Sequence, residues 1–132
     1  MKKALIYISA VLILCAVLAK NKYKRRPPGI STTKTSLKIL HSAVNKFKAD
    51  TGRLPTELEG LSALVQQPKD VNNWRTGGYI ESIELPVDQW RNDYVYQLTP
   101  DSEMPFVIKS LGADGKEGGT GKNADLFSTD AH

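Results

Sequence analysis

The chain has 132 residues, 18 Lys or Arg against 14 Asp or Glu, a formal charge of +4 and one cysteine. That length holds one small domain, and a lone Cys15 excludes an intrachain disulfide framework. The basic surplus is confined to Lys2, Lys3, Lys20, Lys22, Lys24, Arg25 and Arg26, with no acid before residue 27, so the rest of the chain is net acidic and lacks the basic face that nucleic-acid binding needs.

Ala4 to Ala19 is apolar apart from Tyr7 and Ser9 and follows Lys2 and Lys3. Residues 1–19 therefore read as a membrane anchor or signal segment, and the dense basic run after Ala19 favours an uncleaved anchor. Bases flank the stretch on both sides, so charge alone does not orient it. Residues 20–30 form a basic linker, because Pro27-Pro28-Gly29 stops any helix continuing out of the apolar stretch.

The folded domain is expected over 31–132. From Ser31, Leu37, Leu40, Val44 and Phe47 recur every three or four residues among lysines, which predicts an amphipathic helix ending at Gly52. His41 lies on this helix as a surface or boundary residue, with no Ser, Cys or acid placed by the sequence to work with it. A second, shorter helix is expected from Thr56, with Glu59 completing a capping box and Leu58, Leu61, Leu64 and Val65 buried. β-rich segments at Tyr94–Leu98 and Phe106–Ser110 predict strands of a small antiparallel sheet of about three strands, an α+β domain. Trp74, Trp90, Tyr94 and Tyr96 read as core and interface packing.

The second strand runs into Ser110–Asp125, SLGADGKEGGTGKNAD. Asp114, Asn123 and Asp125 offer side-chain oxygens, and five glycines let main-chain carbonyls such as that of Leu111 turn toward the same centre. The set is hard and free of Cys and His, which suits calcium better than zinc or copper. Its spacing is not that of an EF-hand, and the residues alone are equally compatible with a glycine-rich surface segment that binds nothing. No nucleophile–base pair, paired carboxylates or phosphate-binding loop appears, so no catalytic residue and no small-molecule substrate are expected.

Several of these stretches occur in a familiar order: Asp50-Thr51-Gly52-Arg53-Leu54-Pro55-Thr56, Gly60-Leu61 with Ala63-Leu64, Gly77-Gly78-Tyr79-Ile80, Leu85-Pro86 with Asp88, Trp90, Asn92-Asp93-Tyr94 and Tyr96, then Ser110–Asp125. Over about residues 31–127 the chain resembles the major pseudopilin of the type II secretion system. The resemblance implies a structural subunit of a pilus-like fibre in the periplasm, anchored in the bacterial inner membrane through residues 4–19. Its partners would be other pseudopilin subunits and the inner-membrane secretion platform. It also implies a structural Ca²⁺ held by the C-terminal loop, with Asp114 and Asp125 at family acidic positions and Asn123 where Asp is common.

The chain departs from the family pattern at Gln89 and Arg91, where Pro and Gly are usual. It also departs at the N-terminus, where no Gly precedes Gly29 and no Glu precedes Glu57. The alternative expectation is therefore a membrane-tethered or exported calcium-binding domain of the same fold that does not polymerise.

Overall fold

The computed structural model describes residues 30–130; the expected anchor over 1–19 and nearly all of the 20–30 linker lie outside them. Among the described residues no helix is long and apolar enough to cross a membrane.

Helix α1 spans Ile30–Thr51. Its apolar stripe is where the periodicity puts it: Leu37, Leu40, Val44 and Phe47 are all fully buried, and each contributes roughly 1.5–3 kcal/mol through area removed from water. The helix stops where the sequence provides for it. Gly52 takes a left-handed φ of 79°, its amide donates to the Lys48 carbonyl at 2.9 Å, and the Thr51 hydroxyl donates to the Phe47 carbonyl at 2.8 Å.

The second helix is a correction. The capping box forms, with the Thr56 amide donating to Glu59 Oε2 at 2.9 Å and the Glu59 amide to Thr56 Oγ1 at 3.2 Å. Beyond the box the chain makes only a single 3₁₀ turn over Gly60–Leu64. Gly60 adopts a φ of 53°, which breaks the α-helical run. Leu61 and Leu64 are buried as expected, but Leu58 is 99 % exposed.

Residues 65–94 form a long irregular segment tied to the turn before it. The Trp74 indole donates to the Ala63 carbonyl at 2.8 Å, and the Tyr79 amide donates to the Leu64 carbonyl at 2.8 Å. Gly78 permits this approach, because a Cβ there would lie 2.7 Å from the Leu64 oxygen. Arg75 pairs with Asp50 of α1, and Trp74 and Phe47 both meet the Tyr79 ring edge to face.

The sheet has three antiparallel strands in the order β1 (Val95–Leu98), β2 (Phe106–Ser110) and β3 (Leu126–Phe127). Val95 pairs with Lys109 and Leu98 with Phe106; Ser110 pairs with Leu126. Tyr94 lies just before β1, one residue inside the expected boundary. Strand β2 is central, and Phe106 and Ile108 pack with the α1 stripe in one core. Its burial does not alternate, since Lys109 and Ser110 are covered as well. Both faces of β2 are therefore occupied, one by the helix and one by the loop after it. Tyr94 is buried, and Trp74 and Tyr96 pack against the core, as expected of packing aromatics.

Candidate metal centre

The loop between β2 and β3 is positioned by the turn that precedes β1. Asp88 is fully buried, and its Oδ1 accepts from the amides of Trp90 at 2.9 Å and Asn92 at 2.8 Å. Its Oδ2 accepts from the Ser110 hydroxyl at 2.6 Å. The Asp88 amide donates to the Asn92 carbonyl and the Arg91 amide to the Asp88 carbonyl, closing the turn. Thr33 of α1 holds it from outside, its hydroxyl accepting from the Gln89 amide at 3.1 Å. Asn92 then donates from Nδ2 to the Gly112 carbonyl at 2.9 Å. One buried carboxylate thus links α1, the turn and the start of the loop.

The departures from the usual family pattern lie in this turn, and Arg91 adopts a φ of 72°. It is the single positive-φ residue other than glycine among those described, and that conformation costs a residue with a Cβ about 1–2 kcal/mol. The turn survives because the Asp88 contacts on either side of Arg91 hold it.

The loop folds back on itself. The Ala113 amide donates to the Lys122 carbonyl at 2.9 Å, and Gly121–Asn123 makes a 3₁₀ turn. Gly112, with a φ of 67°, lies so close to the returning strand that a Cβ would sit 2.6 Å from the Asn123 carbonyl oxygen and 2.9 Å from that of Ala124. Asp125 Oδ2 accepts from the Gly118 amide at 3.1 Å. Asp114 is exposed at the outer turn, where its Oδ1 accepts from the Lys116 amide at 3.2 Å. Lys109 reaches from β2 to Glu117 in the same loop, and the ammonium beside it holds the exposed Glu117 carboxyl below its usual range.

The donor chemistry fits a hard cation. Asp125 Oδ1 is shielded from solvent with no hydrogen-bond partner, a costly state for a carboxylate oxygen unless a cation or donor meets it. Among the described residues no three His, Cys, Asp or Glu side chains cluster. A cation here would draw on two carboxylates, Asp114 and Asp125, together with neutral oxygens such as Asn123 and the Leu111 carbonyl, a mixture calcium accepts and zinc does not favour.

Sequence reasoning alone does not find Asp88 and Ser110 as the supports of this loop. Nor does it place Ser128 beside His41. Ser128 Oγ lies 3.2 Å from His41 Nδ1 and accepts from the Ile108 amide at 3.1 Å. The two residues are 87 positions apart, so no local signal joins them. Ser128 is buried and pins the segment after β3 to β2 and α1.

Comparison with known proteins settles the family. The family model described as type II secretion system (T2SS), protein G, matches residues 24–129. The chain belongs to the protein G family of the type II secretion system. It is 37 % identical over 134 residues to type II secretion system core protein G of Pseudomonas aeruginosa, with 96 % of this chain and 92 % of that protein covered. The protein G of Vibrio cholerae is 43 % identical over 94 residues, covering 70 % of this chain and 62 % of that relative. The crystal structure of the major pseudopilin from the type 2 secretion system of enterohaemorrhagic Escherichia coli shares 29 % identity. It aligns with a TM-score of 0.57 over 84 % of this chain and 90 % of its own. The α+β architecture is thus that of a protein G pseudopilin.

Proposed function

We propose that this chain is a structural subunit of a type II secretion pseudopilus, working by contact between subunits and not by catalysis, with a calcium ion bracing its C-terminal loop. Family membership over residues 24–129 supports the secretion role. The observation that carries the calcium reading is the buried, unpartnered Asp125 Oδ1 in a loop whose backbone closes tightly on Gly112.

Asp125 and Asp114 would hold the ion by charge, with Asn123 and the Leu111 carbonyl as neutral donors. The bound ion would supply positive charge to a loop rich in oxygen and poor in apolar contacts. In a domain this small, such binding free energy adds directly to folding free energy. The chain's own residues supply the frame: Asp88 and Asn92 fix the loop's entry at Ser110 and Gly112, and β3 fixes its exit. Residues 4–19 would anchor the chain in the inner membrane, with the domain on the periplasmic side beside the secretion platform.

The test uses thermal melting of the full chain in detergent. Calcium should raise Tm, a chelator should reverse the rise, and Asp125→Ala should abolish the response while Asp130→Ala keeps it. A melt of the unaltered chain indifferent to calcium would overturn the metal reading. The secretion role is tested by complementation in a strain lacking its own protein G, where failure of a folded chain to restore secretion would refute it.

A further inference from the structure

Among the described residues the exposed large apolar side chains are Ile39, Leu58, Ile83 and Met104, and they fall into two pairs at different places. Leu58 and Met104 belong to the end of the domain where α1 terminates. The 53–59 segment lies along β1 there, with the Tyr96 hydroxyl donating to the Pro55 carbonyl at 2.9 Å and the Leu98 amide to Glu57 Oε1 at 3.2 Å. The β1–β2 turn begins one residue after Leu98, and it carries Asp101 and Glu103 ahead of Met104. This end is therefore acidic with apolar tips, Leu58 being 99 % exposed.

The other pair belongs to the outer side of α1. A groove of about 590 Å³ runs between the helix and the 79–86 segment, floored by Ile39, Tyr79, Ile80 and Pro86. Its helix side is rimmed by Lys38 and Lys46, and its far wall carries Glu81 and Glu84; Ile83 lies between those two acids in the chain and is 91 % exposed. The helix as a whole bears Lys34, Lys38, Lys46 and Lys48 against Asp50 alone, while the remaining described residues are strongly acidic.

An apolar tip flanked by acids and an apolar groove rimmed by lysines are complementary surfaces on one chain. Neither patch is self-complementary, so a contact between them is heterologous, and it propagates instead of closing into a dimer. Resting on the fibre reading above, we infer that the Leu58–Met104 end of one copy docks in the α1 groove of a second copy, with Lys38 and Lys46 facing Asp101 and Glu103.

The test is site-specific cross-linking of the full chain in membranes, in a Cys15→Ser background. With Leu58→Cys and Ile39→Cys in the same chain, a short bismaleimide should produce a ladder of dimers, trimers and larger species. Two singly substituted chains produced together should stop at dimers, and each produced alone should stay monomeric. Lys38→Glu with Lys46→Glu should reduce the ladder about tenfold, and Asp101→Lys with Glu103→Lys should restore it, both sets of sites being solvent-exposed. Dimers from Ile39→Cys alone, or no restoration by the charge swap, would overturn the docking. If lysine-directed cross-linking shows multimers while the 58–39 pair stays uncoupled, this docking is wrong and the fibre reading stands. If the unaltered chain forms no multimers at all, both fall.

Discussion

Replacing Asp88 with alanine tests whether one buried carboxylate holds the turn and the loop together. Asp88 is fully buried and accepts three hydrogen bonds, from the Trp90 and Asn92 amides and the Ser110 hydroxyl. Alanine leaves those donors without an acceptor in a site closed to water, at about 1–3 kcal/mol for each buried donor that finds no substitute. Allowing the Ser110 hydroxyl to rotate to another partner, the two amides and the lost packing amount to about 3–5 kcal/mol. A domain of this size has roughly 5–15 kcal/mol in total, so the loss should lower Tm by at least about 12 °C at about 4–8 °C per kcal/mol. Asp88→Asn keeps an oxygen for both amides and should cost only about 1 kcal/mol, since Ser110 can reverse its role and accept from the new amide. Asp93→Ala, at an exposed position in the same segment, is the control and should stay within about 0.5 kcal/mol. Urea unfolding followed by tryptophan fluorescence reads all three. If Asp88→Ala falls within about 1 kcal/mol of Asp93→Ala, the turn is held by something other than this carboxylate.

Two more outcomes concern single residues. Arg91→Gly removes the cost of a φ of 72° and, after the greater unfolded-state entropy of glycine, should stabilise the chain by about 0.5–1 kcal/mol; a lower urea midpoint would show that Arg91's side-chain contacts outweigh its backbone strain. Glu59 is held at a pKa of about 2, chiefly by its bidentate hydrogen bonds from Arg53. Because the folded value is depressed, its contribution is full above about pH 4.5 and is lost as pH falls toward 2. With the pair partly solvated, Glu59→Gln should cost about 1–2 kcal/mol near neutral pH, and its unfolding curve should merge with that of the parent near pH 2. A gap that persists at low pH would assign the effect to packing instead of charge.

How much is legible in the chain differs by kind of interaction. The α1 stripe, the Gly52 stop and the Thr56–Glu59 capping box rest on spacings of three or four residues, and all three appear as expected. The second helix fails because Gly60, read in the sequence only as a motif residue, breaks the helical path and turns Leu58 outward. The glycine-rich loop is visible as composition and as resemblance. Its supports are not, since Asp88 and Ser110 are 22 residues apart and His41 and Ser128 are 87 apart.

Residue periodicity, capping chemistry and glycine placement are local properties, so amino-acid order alone suffices for the helix, its end, two of the strands and the oxygen-rich character of the loop. Packing supplies the supports on which those elements lean. Burial makes an ordinary-looking Asp88 the anchor of the turn, forces a left-handed Arg91 to be tolerated, and leaves one oxygen of Asp125 out of water without a donor. Each of these depends on which distant groups exclude solvent from a given atom, a quantity that exists only once the chain has packed.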